Sequence, residues 1–318
     1  MKIISVCLLL IIFITNCTEN KPTIPDYLGM PLPGDSALVF APGIVTTIHH
    51  EHSRMEFTKD GSEMYWEVIP LNKDYEQNNE SRFDIDKQNI LFVKKTNSGW
   101  TNPEILPATK NMRARRPILS LDEQTLYFET DKLDADPDIR PRPSIQMSLS
   151  REDNKWTNPR KINGLIPKVE GKSTMLFCFA DNGNIYYDLG GPTEKGNWAW
   201  EIYFMKYENG KYLNPVLMDN GINDEEINWC PWIAPDESYL IFSSHRKGDY
   251  GSGDLYISFN KNGQWSRPIN MGEKVNTFMQ ERLPSVTPDG KFMFFTRHMT
   301  NTNNDFYWIS SEVIEKLR

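Results

Sequence analysis

The chain has 318 residues, 39% of them hydrophobic and 12% aromatic, with a formal net charge of −8. That composition supports a packed core rich in β-formers and excludes a disordered chain. The acidic balance argues against nonspecific binding to nucleic acid or to an anionic membrane, both of which need surplus Lys and Arg.

Residues 1–17 read as a signal peptide. Lys2 is a minimal positive start, and Ile3 to Ile14 is an apolar run broken only by Ser5 and Cys7. It is too short for a membrane span, which needs about 20 apolar residues. The run ends at Ile14-Thr15-Asn16-Cys17, which resembles a lipobox. Asn16 is larger than the usual Gly or Ala, and the alternative is an ordinary secretory peptide cut nearby. The resemblance implies lipidation of Cys17 and a cell-envelope protein held by acyl chains such as palmitate, in the outer membrane on its periplasmic or surface side. Residues 18–37 then form a tether and 38–318 the folded domain. Cys178 and Cys230, each within an apolar strand pattern, read as buried free thiols.

From residue 38 onward the chain repeats. An aromatic residue followed by Pro three positions later occurs at Trp100–Pro103, Trp156–Pro159, Tyr212–Pro215 and Trp265–Pro268, with a degenerate copy at Val39-Phe40-Ala41-Pro42. The copies fall roughly 55 residues apart, the scale of a propeller blade. Between them lie hairpin turns around Asp60, Asp122, Asp181, Asp236 and Asp289, each followed by an aromatic strand such as Phe294-Phe295. A third strand precedes each aromatic-Pro element, most clearly at Asp254-Leu255-Tyr256-Ile257-Ser258. The first aromatic-Pro element has no hairpin of its own, and the last hairpin lacks its outer strand. The reading is therefore an all-β chain, a five-bladed rather than six-bladed β-propeller of four-stranded blades. Residues 38–45 close the ring as the outer strand beside 305–310, leaving no open edge.

The segments Asp236 to Pro268 and Pro284 to Phe295 resemble the WD-like repeats of the TolB propeller domain. The resemblance covers most of 38–310 and implies the fold. It departs in blade number and in lacking the amino-terminal domain, and it implies little about activity.

The repeat register sorts polar residues by face. The approaches to the inner strands carry His49, His50, Glu51, His52, Arg113, Arg115, Arg116, Lys172, Glu226, Asn228, Glu281 and Arg282. The exits of the second strands carry Glu67, Glu129, Asp131, Asp188, His245, Arg246, Arg297 and His298. Both sets open on the face opposite the Asp turns, so all five histidines share one rim. Long connections there (69–88, 131–144 and 188–200) bring Tyr75, Trp198 and Trp200, with Tyr250 nearby, as stacking surfaces for sugar rings.

Each residue alone has a structural reading as a turn former or an inter-blade brace. Together they suggest a cationic, imidazole-rich axial pocket. Arg115, Arg116, Arg246, Arg282 and Arg297 would bind carboxylate or sulfate. His50, His52, His245 and His298 would be the acid–base residues. His50 and His52, two apart on an extended strand, also suit two ligands of a divalent metal, with no fixed third partner. This chemistry fits removal of the C5 proton of a uronic acid and loss of a C4 substituent, a lyase or dehydratase reaction. The metal-dependent oligogalacturonate lyases, larger seven-bladed propellers, are an analogy of site type. The other readings are a non-catalytic TolB-like scaffold for an envelope protein, and a glycoside hydrolase using Glu226 and Glu281.

Overall fold

The computed structural model describes residues 26–73, 82–131, 144–192, 198–247, 250–298 and 304–318. The described chain forms five antiparallel blades in a ring. Blade one has an inner strand in two pieces, His50–Glu51 and Glu56–Phe57. It continues through Glu63–Ile69 and Asn89–Thr96 to the outer pieces Gly99–Trp100 and Glu104–Ile105. Blade two runs Arg115–Leu119, Thr125–Asp131, Ser144–Glu152 and Lys155–Lys161, and blade three Phe177–Phe179, Ile185–Pro192, Trp198–Met205 and Val216–Leu217. Blade four is Asn228–Ile233, Tyr239–Ser244 and Asp254–Lys261 with outer pieces Gln264–Trp265 and Ile269–Asn270. Blade five is Gln280–Val286, Phe292–His298 and Asn304–Ser310, and its outer strand is Leu38–Val39 from the beginning of the domain.

That last pairing is the expected closure: Leu38 faces Trp308 and Val39 faces Tyr307. The packed domain starts ahead of the expected boundary at residue 38. Tyr27 is fully buried against Phe292 and Trp308, and its hydroxyl donates to Asp289 Oδ1 at 3.0 Å. Burial of such rings contributes about 1.5–3 kcal/mol each, so the segment 26–37 is part of the fold as well as a lead-in. Core clusters sit between neighbouring blades, as where Trp66 of blade one meets Phe294 and Trp308 of blade five.

The five hairpin turns share one geometry. A side-chain oxygen accepts the backbone N–H two residues on, at Asp60 (2.9 Å), Asp122 (3.0 Å), Asp236 (3.0 Å) and Asp289 (3.2 Å). In blade three the turn residue is Asn182 (3.0 Å to Asn184 N), which corrects the expectation for Asp181. The next residue is left-handed in every copy: Gly61, Glu123, Gly183, Glu237 and Gly290, with φ between 57° and 89°. Backbone bonds close a four-residue loop in four blades, as from Thr58 N to Glu63 O (3.1 Å), and a three-residue loop in blade three, from Ala180 N to Asn184 O (2.9 Å). Cys178 and Cys230 are buried and free.

Candidate functional site

The axial mouth opposite these turns is built by irregular inner strands. Pairing with the second strand slips between Arg115 and Ile118, Trp229 and Trp232, and Arg282 and Ser285. At each slip a non-glycine residue is left-handed, Arg116 (φ 57°), Cys230 (φ 52°) or Leu283 (φ 58°), and a proline follows it. Proline lacks the N–H that a bulge leaves unpaired, and the bulge re-aims the side chain before it. Carboxylates of the preceding blade hold two of these bulges. Glu67 Oε2 accepts Arg116 N at 2.7 Å, and Asp188 Oδ2 accepts Cys230 N at 2.9 Å.

Below the mouth Arg54 of blade one crosses the axis. It donates to Phe177 O of blade three (2.9 Å) and Pro231 O of blade four (3.2 Å), and pairs with Glu56 at 2.8 Å. The mouth is thereby separated from the hollow on the Asp-turn side that Phe57, Leu121, Phe179 and Trp232 line.

Four histidines surround the mouth. The His50 and His52 rings stack with centroids 5.3 Å apart, and His298 meets His50 edge-on at 6.0 Å. His298 Nδ1–H donates to Asn304 Oδ1, and Asn304 Nδ2 donates to His50 Nε2 at 3.1 Å. This chain places the His50 proton on Nδ1 and leaves His298 Nε2 with a lone pair. His52 Nδ1 lies 3.4 Å from Glu67 Oε1, within ion-pairing reach of the carboxylate but without a formed hydrogen bond. Gln280 Nε2 donates to His245 Nε2 at 2.9 Å. Burial holds all five imidazoles below the ordinary histidine range, and His50 is pushed down to about 3 by burial and then by the charges of His52, Arg282 and His298. The rings are neutral at neutral pH and can accept protons. His49, whose Nδ1 accepts Leu71 N at 2.9 Å, is tied to the loop beside the cluster.

Arg282 is the cation of the site. It is only 9% exposed, no carboxylate lies within ion-pairing distance among the described residues, and its Nε has no acceptor. Its guanidinium sits 5.9 Å from the Trp229 ring centre, and Trp229 in turn meets His245 edge-on at 5.9 Å. Trp229 Nε1 and His50 Nδ1 are also buried without a partner. Two buried donors without acceptors beside a guanidinium that no carboxylate pairs among the described residues suit an anionic oxygen group.

The other four arginines are held by neighbours, which corrects the expectation that all five converge. Arg115 pairs with Asp131 (2.9 Å) and Glu129 (3.3 Å), and Arg116 with Glu129 (2.8 Å). Arg246 pairs with Asp224 (2.8 Å) and Arg297 with Glu281 (2.7 Å). Strand register supplies the reason: Arg115 lies directly opposite Glu129, and Arg297 opposite Glu281. The carboxylate pair of the hydrolase reading does not form, because Glu281 is buried under Arg297 while Glu226 pairs with Lys247. His50 and His52 stack instead of converging on a shared point, and His50 Nε2 is taken by Asn304. Among the described residues no three His, Cys, Asp or Glu side chains are arranged to hold a metal. Trp198 and Trp200 stand on a strand, not on the expected loop, and Tyr250 is half exposed. Tyr75 and Cys17 lie outside the described residues. Trp229, Gln280 and Asn304 were not expected, although Trp229 holds the position before the left-handed residue that Arg115 and Arg282 hold in their blades.

No protein-family model matches the chain, and no curated protein does. Solved structures do. One is a protein of unknown function from Dyadobacter fermentans, 12% identical over 87% of this chain and 83% of that one, TM-score 0.52. Another is a thermostable family-43 glycoside hydrolase, 13% identical over 84% and 90%, TM-score 0.51. An oligogalacturonate lyase in complex with manganese is 14% identical over 84% and 66%, TM-score 0.42. At these identities the likeness is one of fold: the chain is a β-propeller, and carbohydrate-acting enzymes are among its structural neighbours.

Proposed function

We propose that the axial mouth binds the carboxylate of a uronate-containing, in some cases sulfated, oligosaccharide and promotes β-elimination, in a protein tethered to the cell envelope through Cys17. The observation that carries this reading is the buried, uncompensated guanidinium of Arg282, flanked by two further buried donors and by neutral imidazoles. Arg282, Trp229 Nε1–H and His50 Nδ1–H bind the substrate carboxylate and stabilise the charge that grows on it as C5 is deprotonated. His52, whose Nδ1 faces Glu67 at 3.4 Å, takes the C5 proton at Nε2. The C4–O bond then breaks as the C4–C5 double bond forms. The leaving oxygen is protonated by His298, whose ring has first gained a proton from solvent.

The test is incubation with uronate oligosaccharides while following the ultraviolet absorbance of the unsaturated uronyl product. Absorbance that appears with the parent protein and vanishes in His52→Ala supports the assignment. Binding without new absorbance marks the other reading, a non-catalytic TolB-like scaffold that recognises acidic glycan.

A further inference from the structure

Between blades two and three the same face carries a groove with a volume of about 310 Å³. Lys161 ends the outer strand of blade two, Lys168 lies on the connection, and Lys172 stands at the approach to blade three; all three line the groove. Among the described residues its single lining carboxylate, Glu129, is already paired with Arg115 and Arg116. Lys172 lies 3.6 Å from Glu201, while Lys161 and Lys168 make no ion pair among the described residues. The lining also holds Gln146, whose Oε1 is buried without a donor and is thus an open acceptor for a hydroxyl. Gly164 keeps that oxygen clear, because a Cβ there would stand 3.2 Å from it.

A smaller recess lined by Arg116, Thr174 and Met175 shares Gln146, Glu129 and Thr174 with the groove and leads toward the axis. Arg116 N is bound to Glu67, the partner of His52, and Met175 Sδ touches Cys230 beside Trp229 at 3.8 Å. A net-cationic groove in a chain of net charge −8 is a local inversion of the protein's field. We infer that this groove is a chain-binding subsite, holding the acidic sugar residues that run outward from the one seated at Arg282. The inference rests on the axial reading for its direction and adds a substrate class: linear polyuronate oligosaccharides, with repeated negative charge, over single sugar acids.

The experiment is calorimetric titration of the full domain with galacturonate and with its linear tetramer. Four proteins are compared: the parent, the double variant Lys161→Glu/Lys168→Glu, Gln146→Leu and Arg282→Met. The parent binds the tetramer more tightly than the monomer, and added salt reduces that gain. The lysine variant loses tenfold or more of the gain, binds the monomer unchanged and melts like the parent. Gln146→Leu, which removes the open acceptor without altering charge, weakens the tetramer alone. An undiminished length gain in the charge-reversed variant overturns the groove assignment, as does an equal loss of monomer and tetramer. Arg282→Met tests the axial reading separately. If it leaves monomer binding intact while the lysine variant loses the tetramer, the groove stands and the axial reading falls. If neither sugar binds the parent, both fall.

Discussion

At the residue scale Arg282 is the most exposed to experiment. A guanidinium taken out of water without a counter-charge costs stability, and apolar replacements of buried charge are neutral or favourable by up to about 4 kcal/mol. Arg282→Met should therefore raise the melting temperature, or leave it unchanged, while removing binding of acidic sugars. Thermal denaturation and titration on the same preparation check both halves, and a clear loss of stability would return Arg282 to a structural role. The histidines predict a pH dependence. Their native pKa values lie below the unfolded value of about 6.5, His50 down to about 3. In that window the unfolded chain binds more protons, so stability is full above about pH 6.5 and falls as pH drops. His50→Leu should flatten this acid limb in melting curves taken from pH 7 downward. Glu51 has the opposite sign. Burial pushes its carboxyl up to about 9, so its contribution is full below the ordinary value of 4.5 and is lost as pH rises through 9.

At the element scale the blades are copies that diverged by single contacts. Thr47 caps Glu51 in blade one as Thr277 caps Glu281 in blade five, each threonine donating N–H and hydroxyl to the glutamate four residues on. Opposite Glu281 the second strand presents Arg297, and opposite Glu51 it presents Val68. That substitution of partner leaves Glu51 buried without an ion-paired cation among the described residues; burial raises both carboxyls, and only at Glu281 does an arginine oppose the rise. The turns differ in the same way. Glu237 occupies a left-handed position where three other blades have glycine, a conformation costing roughly 1–2 kcal/mol for a residue with a side chain. Its carboxylate accepts from Asn182 (2.7 Å), Asn184 (2.8 Å) and Tyr186 (2.8 Å) of blade three. Glu237→Ala keeps the strain and loses these bonds, so it should be less stable than Glu237→Gly by about 1 kcal/mol in chemical denaturation. Equal stability would show that the turn relaxes.

At the scale of the whole molecule, the ring depends on its first residues. Removing 27–47 deletes the outer strand Leu38–Val39 and the Tyr27 and Phe40 rings, leaving the Asn304–Ser310 strand as a free edge. The truncated protein should aggregate or melt far below the parent in light-scattering and thermal scans. The bond from Tyr27 to Asp289 also places the lead-in segment on the Asp-turn face. On the proposed acylation of Cys17, a tether reaching roughly 30 Å to Asp26 would turn that face toward the bilayer and the histidine mouth away from it. Brominated lipids should then quench a fluorophore at position 122 more strongly than one at position 250. Cys17→Ser should shift the protein from the membrane pellet to the soluble fraction, because acyl burial supplies ~0.8 kcal/mol per CH₂.

Spacing along the chain was enough for the blade number, the closing strand and the shared face of the histidines, because hairpin chemistry and strand alternation are local and repeat five times. The sequence also carried the raw materials of the site, although His50 and Arg282 stand on the inner strands and His52 between two pieces of one, where approaches to the strands were expected. Whether an arginine is available was decided by pairing across strands. Glu129 and Glu281 meet their arginines through register, and Arg246 meets Asp224 through a loop. The proton positions on His50 and His298 depend on Asn304, far from His50 in the chain and beside it only once the ring closes. Trp229 and Gln146 became visible as open polar groups only when burial and partners were known. Local preferences are properties of short segments. Desolvation and partner choice are properties of the closed ring, and the tertiary structure alone determines them.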